Sequence, residues 1–465
     1  MSKASRFSLK TIASSLFFSA FAVSSPLATR ADNSPLNDKR NTVIVISIDG
    51  FAQDYFSLGL TPNIANLGKS GVFPEYMSPV FPSVTFPNHY TIATGLYPEH
   101  HGIVGNTFYS KALNDTFYYT QPSGLNSKWW GGEPIWVTAV KNNIVAGVNM
   151  FPGSESEIMG IRPTYYSAYN GSVTQISKMD GLVDWLELPS AQRPALLMTY
   201  FPEVDSAGHS FGPYSKGVND SLVKVDSSIK YLVDKLVSKN LFDKVNIIIV
   251  SDHGMSLSLV PGNYISLNSL LAQANLELSQ NSKKAKCLAL KPVKEKILAV
   301  HLSPHAGIYP VSDSDIMPIY KKLKMVEDKT RFSVYLKKDI PKRFVYDSNE
   351  RIPPILVEVK EPYVIRYNAT EYNSSDLSKR SYDLEKRQAA TNTPSGVHGY
   401  DNMEKNMRAI FVAHGPAFNS PKVPTNSTNF PPISAVDVYD VVAKLLKVTP
   451  AKNDGNPAVA AGMVL

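Results

Sequence analysis

Three short, almost wholly apolar runs stand out along the chain: residues 42–48 (TVIVISI), 195–201 (ALLMTYF) and 246–251 (NIIIVS). Runs of this length, rich in β-branched residues and lacking strict alternation, are expected of strands buried on both faces of a parallel sheet. Each releases an acid at or just past its carboxyl end: Asp49 in SIDG, Asp205 in EVDSAGHS and Asp252 in SDHGM. Ligands of open α/β sheets collect outside the carboxyl ends of the strands, so the pattern predicts three acids on one edge. The fold class that follows is α/β, with a largely parallel central sheet flanked by helices. Elsewhere the pattern changes. ILAVHL (297–302) and PILVEVK (354–360) alternate as half-buried strands do, and predict a partly β insert or cap over about residues 270–390.

The acids have company. His209 lies four residues after Asp205, His253 follows Asp252, and His398 sits in GVHGYD. Zinc at a catalytic site takes imidazole nitrogen and carboxylate oxygen and keeps a position open, so Asp49, Asp205, His209, Asp252, His253 and His398 suffice for a two-zinc phosphoester site. Thr85, in FPSVTFPNHY, is a hydroxyl shortly before a proline and an apolar-patterned stretch, and is expected to cap a helix N-terminus, where backbone N–H groups favour anions such as phosphate. A metal ion at its oxygen would make it a nucleophile. Taken singly, Asp49 reads equally well as a turn residue, a lone His as a solvated loop residue, and Thr85 as a cap alone. The remaining histidines, His89, His100, His101, His301, His305 and His414, lack such partners and are assigned structural roles.

The segments PVFPSVTFPNHYTIATGLYPEHHGIVGN, WWGGEPIWVTA, FPGSESEIMGIRPTYYSAYNGSV, DSAGHSFGP, SDHGM, GVHGYDN and MRAIFVAHGPAF, in that order, resemble the catalytic domain of the nucleotide pyrophosphatase/phosphodiesterase family. The resemblance runs from about Asn41 to the C-terminus and implies an alkaline phosphatase-like core. It implies that Asp49, Asp252 and His253 hold one zinc while Asp205, His209 and His398 hold the other. Thr85 would be the nucleophile, reaching towards the first metal and forming a phosphothreonine, and Asn106 would donate its amide to a phosphate oxygen. Phe86 and Tyr169 match the aromatic pair that sandwiches a nucleotide base. Two positions depart from the family's pattern: Phe151 stands where the animal nucleotide-cleaving members have a Trp, and Val84 where a Lys often precedes the nucleophile, which puts contacts to distal phosphates in question. The implied substrates are phosphodiester or pyrophosphate bonds of nucleotides. A choline-type phospholipid-headgroup diesterase and an inactive secreted binding protein are the alternatives.

Composition adds the setting. The chain has 465 residues, 43% hydrophobic and 10% aromatic, enough for a large core, with a net charge of +7. Residues 281–390 hold 22 Lys and Arg against 14 Asp and Glu, an excess of 8 (22 − 14) that accounts for the whole of it. Such a surface steers phosphate anions or is simply a solvated basic face, and no nucleic-acid-binding motif accompanies it. Lys3, Arg6 and Lys10 precede an apolar run from Ile12 to Val23, the layout of a secretory signal peptide over residues 1–28, with a linker at 29–40 and the catalytic domain at 41–465. The expected location is secreted or extracellular without a stable membrane span, an uncleaved signal anchor being the alternative. Sequons at Asn114, Asn170, Asn219, Asn368, Asn373 and Asn426 fit a glycoprotein, and the single Cys287 excludes an internal disulfide framework.

Overall fold

The computed structural model describes residues 41–259, 262–278, 296–302, 304–366, 395–420 and 428–465. The segments expected to be signal peptide and linker, together with Cys287 and the sequons at Asn368, Asn373 and Asn426, lie outside the described residues, as does the side chain of His301.

The three apolar runs are strands: Thr42–Ile48, Leu196–Phe201 and Val245–Val250, every residue of them buried. They form the middle of a six-stranded sheet, ordered Phe411–His414, Val245–Val250, Thr42–Ile48, Leu196–Phe201, Ala146–Asn149 and Tyr165–Ser167. All neighbours are parallel except Phe411–His414, which runs antiparallel along one edge. Alternation along Thr42–Ile48 divides the core: Val43 and Val45 pack into one apolar layer, Ile44, Ile46 and Ile48 into the other. The helices Gln175–Leu186 and Lys216–Ser238 cover the second face, and Thr85–Thr94, Ile135–Lys141 and Val438–Leu446 the first. A sheet sealed on both sides favours apolar side chains in its strands, which is why these runs are almost wholly apolar, and buried polar side chains such as Ser47 and Tyr200 are hydrogen-bonded.

Register decides where the acids emerge. Ser47 pairs with both Tyr200 and Val250, and Ile48 with Phe201, so the three central strands end level. Asp49 follows at once, its N–H bonded to the Phe201 carbonyl at 2.9 Å, and the Asp49 carbonyl in turn accepts from the Asp205 N–H at 3.0 Å. Asp205 itself is in the first turn of the helix Glu203–Phe211, one turn beyond its strand.

A second, five-stranded sheet has the order Glu277–Leu278, Lys296–Leu302, Ala306–Pro310, Ile355–Val359, Phe332–Leu336, packs with the helix Asp313–Met325, and builds an apolar cluster of its own. Both alternating runs fall in it. Its surroundings begin slightly earlier than 270, because Tyr264–Ser266 pairs with Val364–Arg366, while the stretch 367–394 is outside the described residues.

Gly50 is where the central strand turns towards its neighbour's helix. Its φ is +67°, and a Cβ there would lie 2.8 Å from the Asp205 Cα, a backbone atom that cannot swing aside. Gly59 has nearly the same φ, +68°, with nothing within 4 Å. The substitution Gly59→Ala therefore carries only the left-handed strain, about 1 kcal/mol, whereas Gly50→Ala adds the collision and costs at least about 1 kcal/mol more. Urea denaturation of both variants measures the difference, and equal midpoints would show that close approach of the two segments is unimportant.

Candidate metal centre

Six side chains meet at the level edge in two groups. Asp49, Asp252 and His253 form one, Asp205, His209 and His398 the other, and within each group the potential ligand atoms lie within 4.8 Å of one another. The first group is buried, Asp49 being 2% exposed and Asp252 and His253 fully enclosed; in the second, Asp205 and His209 are half-buried.

The imidazoles are held in one tautomer. His253 Nδ1 donates to the Gly254 carbonyl, His209 Nδ1 to that of Gly396 and His398 Nδ1 to that of Ser83, each at 2.9 Å. A carbonyl oxygen only accepts, so Nδ1 carries the proton in all three and Nε2 presents a lone pair inward, the arrangement that a second layer of hydrogen bonds imposes on metal-binding histidines. His209 Nε2 and His398 Nε2 then face each other at 3.1 Å, and His253 stacks on His398 with ring centroids 3.6 Å apart. Two lone pairs so close repel unless a cation lies between them or a proton is shared.

The carboxylates make the same demand. Asp49 Oδ1, Asp252 Oδ2 and Asp205 Oδ1 are buried oxygens without a hydrogen-bond partner. His253 Nε2 is 3.0 Å from Asp252 Oδ2 and 3.5 Å from Asp49 Oδ1, contacts that in this tautomer set lone pair against lone pair. Burial, then the charges of Asp252 and Asp205, push the Asp49 carboxyl well above its ordinary range. Burial would also raise Asp252, but His253 and His89 outweigh it and hold the group low. Burial would lower His253, and Asp252 outweighs that and raises it. His398 is driven well down by burial and by its imidazole neighbours. The pocket draws positive charge, and its mixture of imidazole nitrogen and carboxylate oxygen suits zinc and similar transition metals. These residues fit the expected ions.

Thr85 stands beside them with its Oγ1 3.5 Å from His253 Nε2. It is the first residue of the helix Thr85–Thr94 and not its cap, which is the extended, fully buried Val84. The expected cap is thus off by one residue, because Asn88 does the tethering: its amide donates to the carbonyls of Val80, Pro82 and Val84, and its oxygen accepts from the Val80 N–H. Asn106 Oδ1 accepts from the Phe86 N–H at 2.8 Å, leaving its NH₂ on the other end of the amide. Phe86 is half-buried against Tyr119, Phe117 and Trp130. Tyr169 is 45% exposed, its ring 6.3 Å from that of Tyr200. Phe86 follows Thr85 directly, and Tyr169 lies beside the tyrosine that holds Asp49.

Two residues with a clear hold on the centre are not conspicuous in the sequence. Tyr200 is an inward residue of its strand, and its hydroxyl donates to Asp49 Oδ2 at 2.5 Å. Its place next to Asp49 follows only from the Ser47–Tyr200 register. His89, assigned a structural role, is structural to good purpose. Ser47 Oγ donates to its Nε2 at 2.8 Å, while Nδ1–H faces the Thr85 carbonyl at 2.9 Å and Asp252 Oδ2 at 3.3 Å. Phe151 packs edge-on against that imidazole at 5.3 Å and is 1% exposed, so it buttresses the centre from behind. His101 and His305 are buried with their ring nitrogens bonded within the fold, and His100 pairs with Asp454.

The same frame recurs in known proteins. A sequence model of the family described as type I phosphodiesterase/nucleotide pyrophosphatase matches residues 43–401. An uncharacterised pyrophosphatase/phosphodiesterase of Schizosaccharomyces pombe is 36% identical over 441 residues, 93% of this chain and 82% of the relative. Human ectonucleotide pyrophosphatase/phosphodiesterase family member 1 is 34% identical over 423 residues, and venom phosphodiesterase 2 of Crotalus adamanteus 34% over 431, covering 89% and 91% of this chain. The chain spans only 40% and 48% of the length of those two relatives. Among solved structures, an inactive threonine-to-alanine variant of murine ectonucleotide pyrophosphatase/phosphodiesterase 5, in complex with AMP, superposes with a TM-score of 0.75 at 29% identity, covering 91% of this chain and 100% of that one.

The Tyr200 hydrogen bond offers a test of the centre that needs no substrate. Tyr200→Phe keeps the ring and removes the donor to Asp49, and such losses typically weaken metal binding by about 10–100-fold. Zinc titration in competition with a chromogenic chelator measures the change, and undiminished affinity would show that the Tyr200 hydrogen bond does not support the metal centre.

Proposed function

The chain belongs to the type I phosphodiesterase/nucleotide pyrophosphatase family, and from that premise we propose that it is a secreted two-zinc hydrolase cleaving phosphodiester or pyrophosphate bonds of nucleotides through a phosphothreonine. The observation that carries the reading is the convergence of three partnerless carboxylate oxygens and three inward imidazole lone pairs beside the Thr85 hydroxyl. A decayed binding protein has no physical need for that combination.

Asp49, Asp252 and His253 would hold one zinc, and Asp205, His209 and His398 the other. When bound, the ions supply Lewis-acid charge that lowers the pKa of a hydroxyl and neutralises phosphate oxygens. The chain's own residues do the rest. Thr85 gives up its hydroxyl proton as Oγ attacks phosphorus in line, the P–O bond to the leaving group breaks and the departing oxygen takes up a proton from solvent, leaving the remaining phosphate ester on threonine; water then attacks this phosphothreonine, releases the phosphate monoester and restores the Thr85 hydroxyl. Asn106, its oxygen engaged by the Phe86 N–H, directs NH₂ to a non-bridging oxygen as charge builds there. Placement of Thr85 in the first helical turn favours the anion further. Tyr200 and His89 hold Asp49 and Asp252 in position. The relation to a murine protein whose threonine-to-alanine form is inactive and binds AMP supports both threonine chemistry and a nucleotide substrate.

Phe86 and Tyr169 would take the base between them. The half-buried ring is anchored and the exposed one adaptable, a combination suited to stacking that accepts any base. Val84 is enclosed and Phe151 is turned towards His89, so neither offers charge to a distal phosphate. Secretion is supported by the signal-like N-terminus and by venom and ectoenzyme relatives. Among the described residues, no helix is long and apolar enough to cross a membrane.

Elemental analysis of the purified protein should find two zinc ions per chain, with activity lost on chelation and restored by zinc. Thr85→Ala should lower turnover of a nucleotide diester on the order of a thousandfold or more while both ions stay bound; substantial residual rate would mean that water attacks directly.

Specificity is tested separately. Phe86→Ala or Tyr169→Ala should cost about 1–3 kcal/mol on nucleotide diesters and leave p-nitrophenyl alkyl phosphates almost unchanged. Equal losses on both substrates would make these rings packing residues and would favour a phosphocholine ester as substrate.

A further inference from the structure

Asn106 sits in a turn between the buried residues 101–104 and the strand Thr107–Ser110, and is itself half-buried. The Phe86 N–H fixes one end of its amide. On the other side of the turn, a cavity of about 50 Å³ separates Val104, Asn106 and Phe108 from His305, Tyr346 and Leu356. Close packing is interrupted there, so apolar contact alone leaves the turn slack. Polar tethers set its position.

The tethers come from one short segment, residues 346–351, which leads into the insert's strand Ile355–Val359. Tyr346 is 5% exposed and donates its hydroxyl at 2.6 Å to the carbonyl of Val104, two residues before Asn106. Burial pushes that hydroxyl's pKa up, so it keeps its proton and stays a donor. Arg351 grips further back. Its Nη1 donates to the carbonyls of Gly102 at 2.8 Å and Trp129 at 2.6 Å, and its Nη2 to that of Lys128 at 3.0 Å, with the guanidinium lying over the rings of Phe108 and Trp129. Its ion pair among the described residues is a loose one, from Nε to Glu350 at 3.7 Å. A guanidinium is suited to carboxylate or phosphate, and one directed instead at three backbone carbonyls fixes a chain path. The same segment holds the chain on both sides of Asn106. Glu99 accepts from the N–H groups of Asp347 and Ser348, and Ser110 Oγ donates to Glu350.

We propose that Tyr346 and Arg351 of the insert are positioning residues for phosphoryl transfer: by holding residues 102–104 they set the line along which the Asn106 NH₂ meets the non-bridging oxygen. The inference rests on the role given above to Asn106. A donor aimed at charge that develops in the transition state acts through its placement, and an error on the order of 1 Å costs about 100-fold in rate. Loss of a tether therefore lowers kcat and spares KM, since the ground-state phosphate asks less of the amide. The insert thereby takes part in the chemistry without touching substrate or metal.

The test is a double-mutant cycle in the full, zinc-loaded chain. Asn106→Ala alone should lower kcat about 100-fold or more. Tyr346→Phe, which removes one oxygen atom, should lower kcat about 10-fold, with KM and zinc content unchanged. The loss should be equal on a nucleotide diester and on a p-nitrophenyl alkyl phosphate, because both carry the non-bridging oxygen. Added to Asn106→Ala, the same substitution should cost less than about twofold, since no amide is left to place. An unchanged kcat in Tyr346→Phe, or a full additive loss in the Asn106→Ala background, overturns the proposal. A loss confined to the nucleotide diester overturns it too, and shows that the segment acts through the base-facing rings. No loss in Asn106→Ala itself overturns the role of that residue, and the proposal with it. Should Tyr346→Phe fail to fold, Arg351→Lys, which keeps the charge but lacks the planar fork that spans three carbonyls, goes through the same cycle and decides by the same outcomes.

Discussion

Repulsion at one end of the central sheet organises this molecule. Asp49, Asp252 and Asp205 leave level strands within reach of one another, and three imidazoles add inward lone pairs. Two like charges about 4 Å apart repel by roughly 4 kcal/mol at an effective dielectric of about 20, and burial removes the water that would relieve them. The fold meets that stress with fixed supports. Tyr200 takes one oxygen of Asp49, the Gly50 N–H takes Asp252 Oδ1 at 3.1 Å, His89 approaches its other oxygen, and three backbone carbonyls fix the imidazoles. Everything that holds the ligands in place also holds the repulsion in place, so the arrangement favours a bound cation over a relaxed apo form.

The supports come from every layer. Asp49 and Asp252 are set by the sheet itself, Asp205 and His209 by the helix beyond it, and Thr85 by a loop pinned through Asn88. His398 follows the short strand Ser395–Val397, which pairs antiparallel with Ser256–Leu259, the segment just past Asp252 and His253. The last ligand is therefore returned to the first by a local hairpin-like pairing, despite the long stretch of chain between them. The second sheet lies within that excursion and closes onto the returning loop through His305, whose Nε2 meets the Gly399 carbonyl at 2.8 Å. Placement of a large insert between two metal-site segments makes the site depend on how that insert packs.

Legibility in the sequence follows the same division. Strands sealed on both faces are predominantly apolar, so the acids that end them are conspicuous from the residue pattern alone. The pairing of His209 with Asp205 is legible as well, because four residues is about one helical turn and the two side chains share a face. Tyr200 is not, since a tyrosine inside an apolar strand looks like core until the register puts its hydroxyl on Asp49. His89 looks like a helix-face histidine for the same reason: its partners Ser47 and Asp252 come from distant strands. A hydroxyl near a proline makes Thr85 look like the cap, one residue late, while the tether that matters is the buried amide of Asn88.

The way chemistry and recognition are divided across this edge has a consequence for how relatives of such a protein can diverge. The candidate ligand groups are set at strand ends and close to one another, and His398 is bonded to the Ser83 carbonyl of the Thr85 loop, so a change among them disturbs the charge balance of the whole centre. The groups proposed for recognition lie off the strand ends. Tyr169 is 45% exposed in the stretch after the strand Tyr165–Ser167, and Phe86 leans on the aromatic cluster of Tyr119, Phe117 and Trp130. Substitutions in that rim alter what is stacked or enclosed without touching the cations. On the proposed reading, the level strand ends carry the chemistry and the exposed side chains carry the choice of substrate.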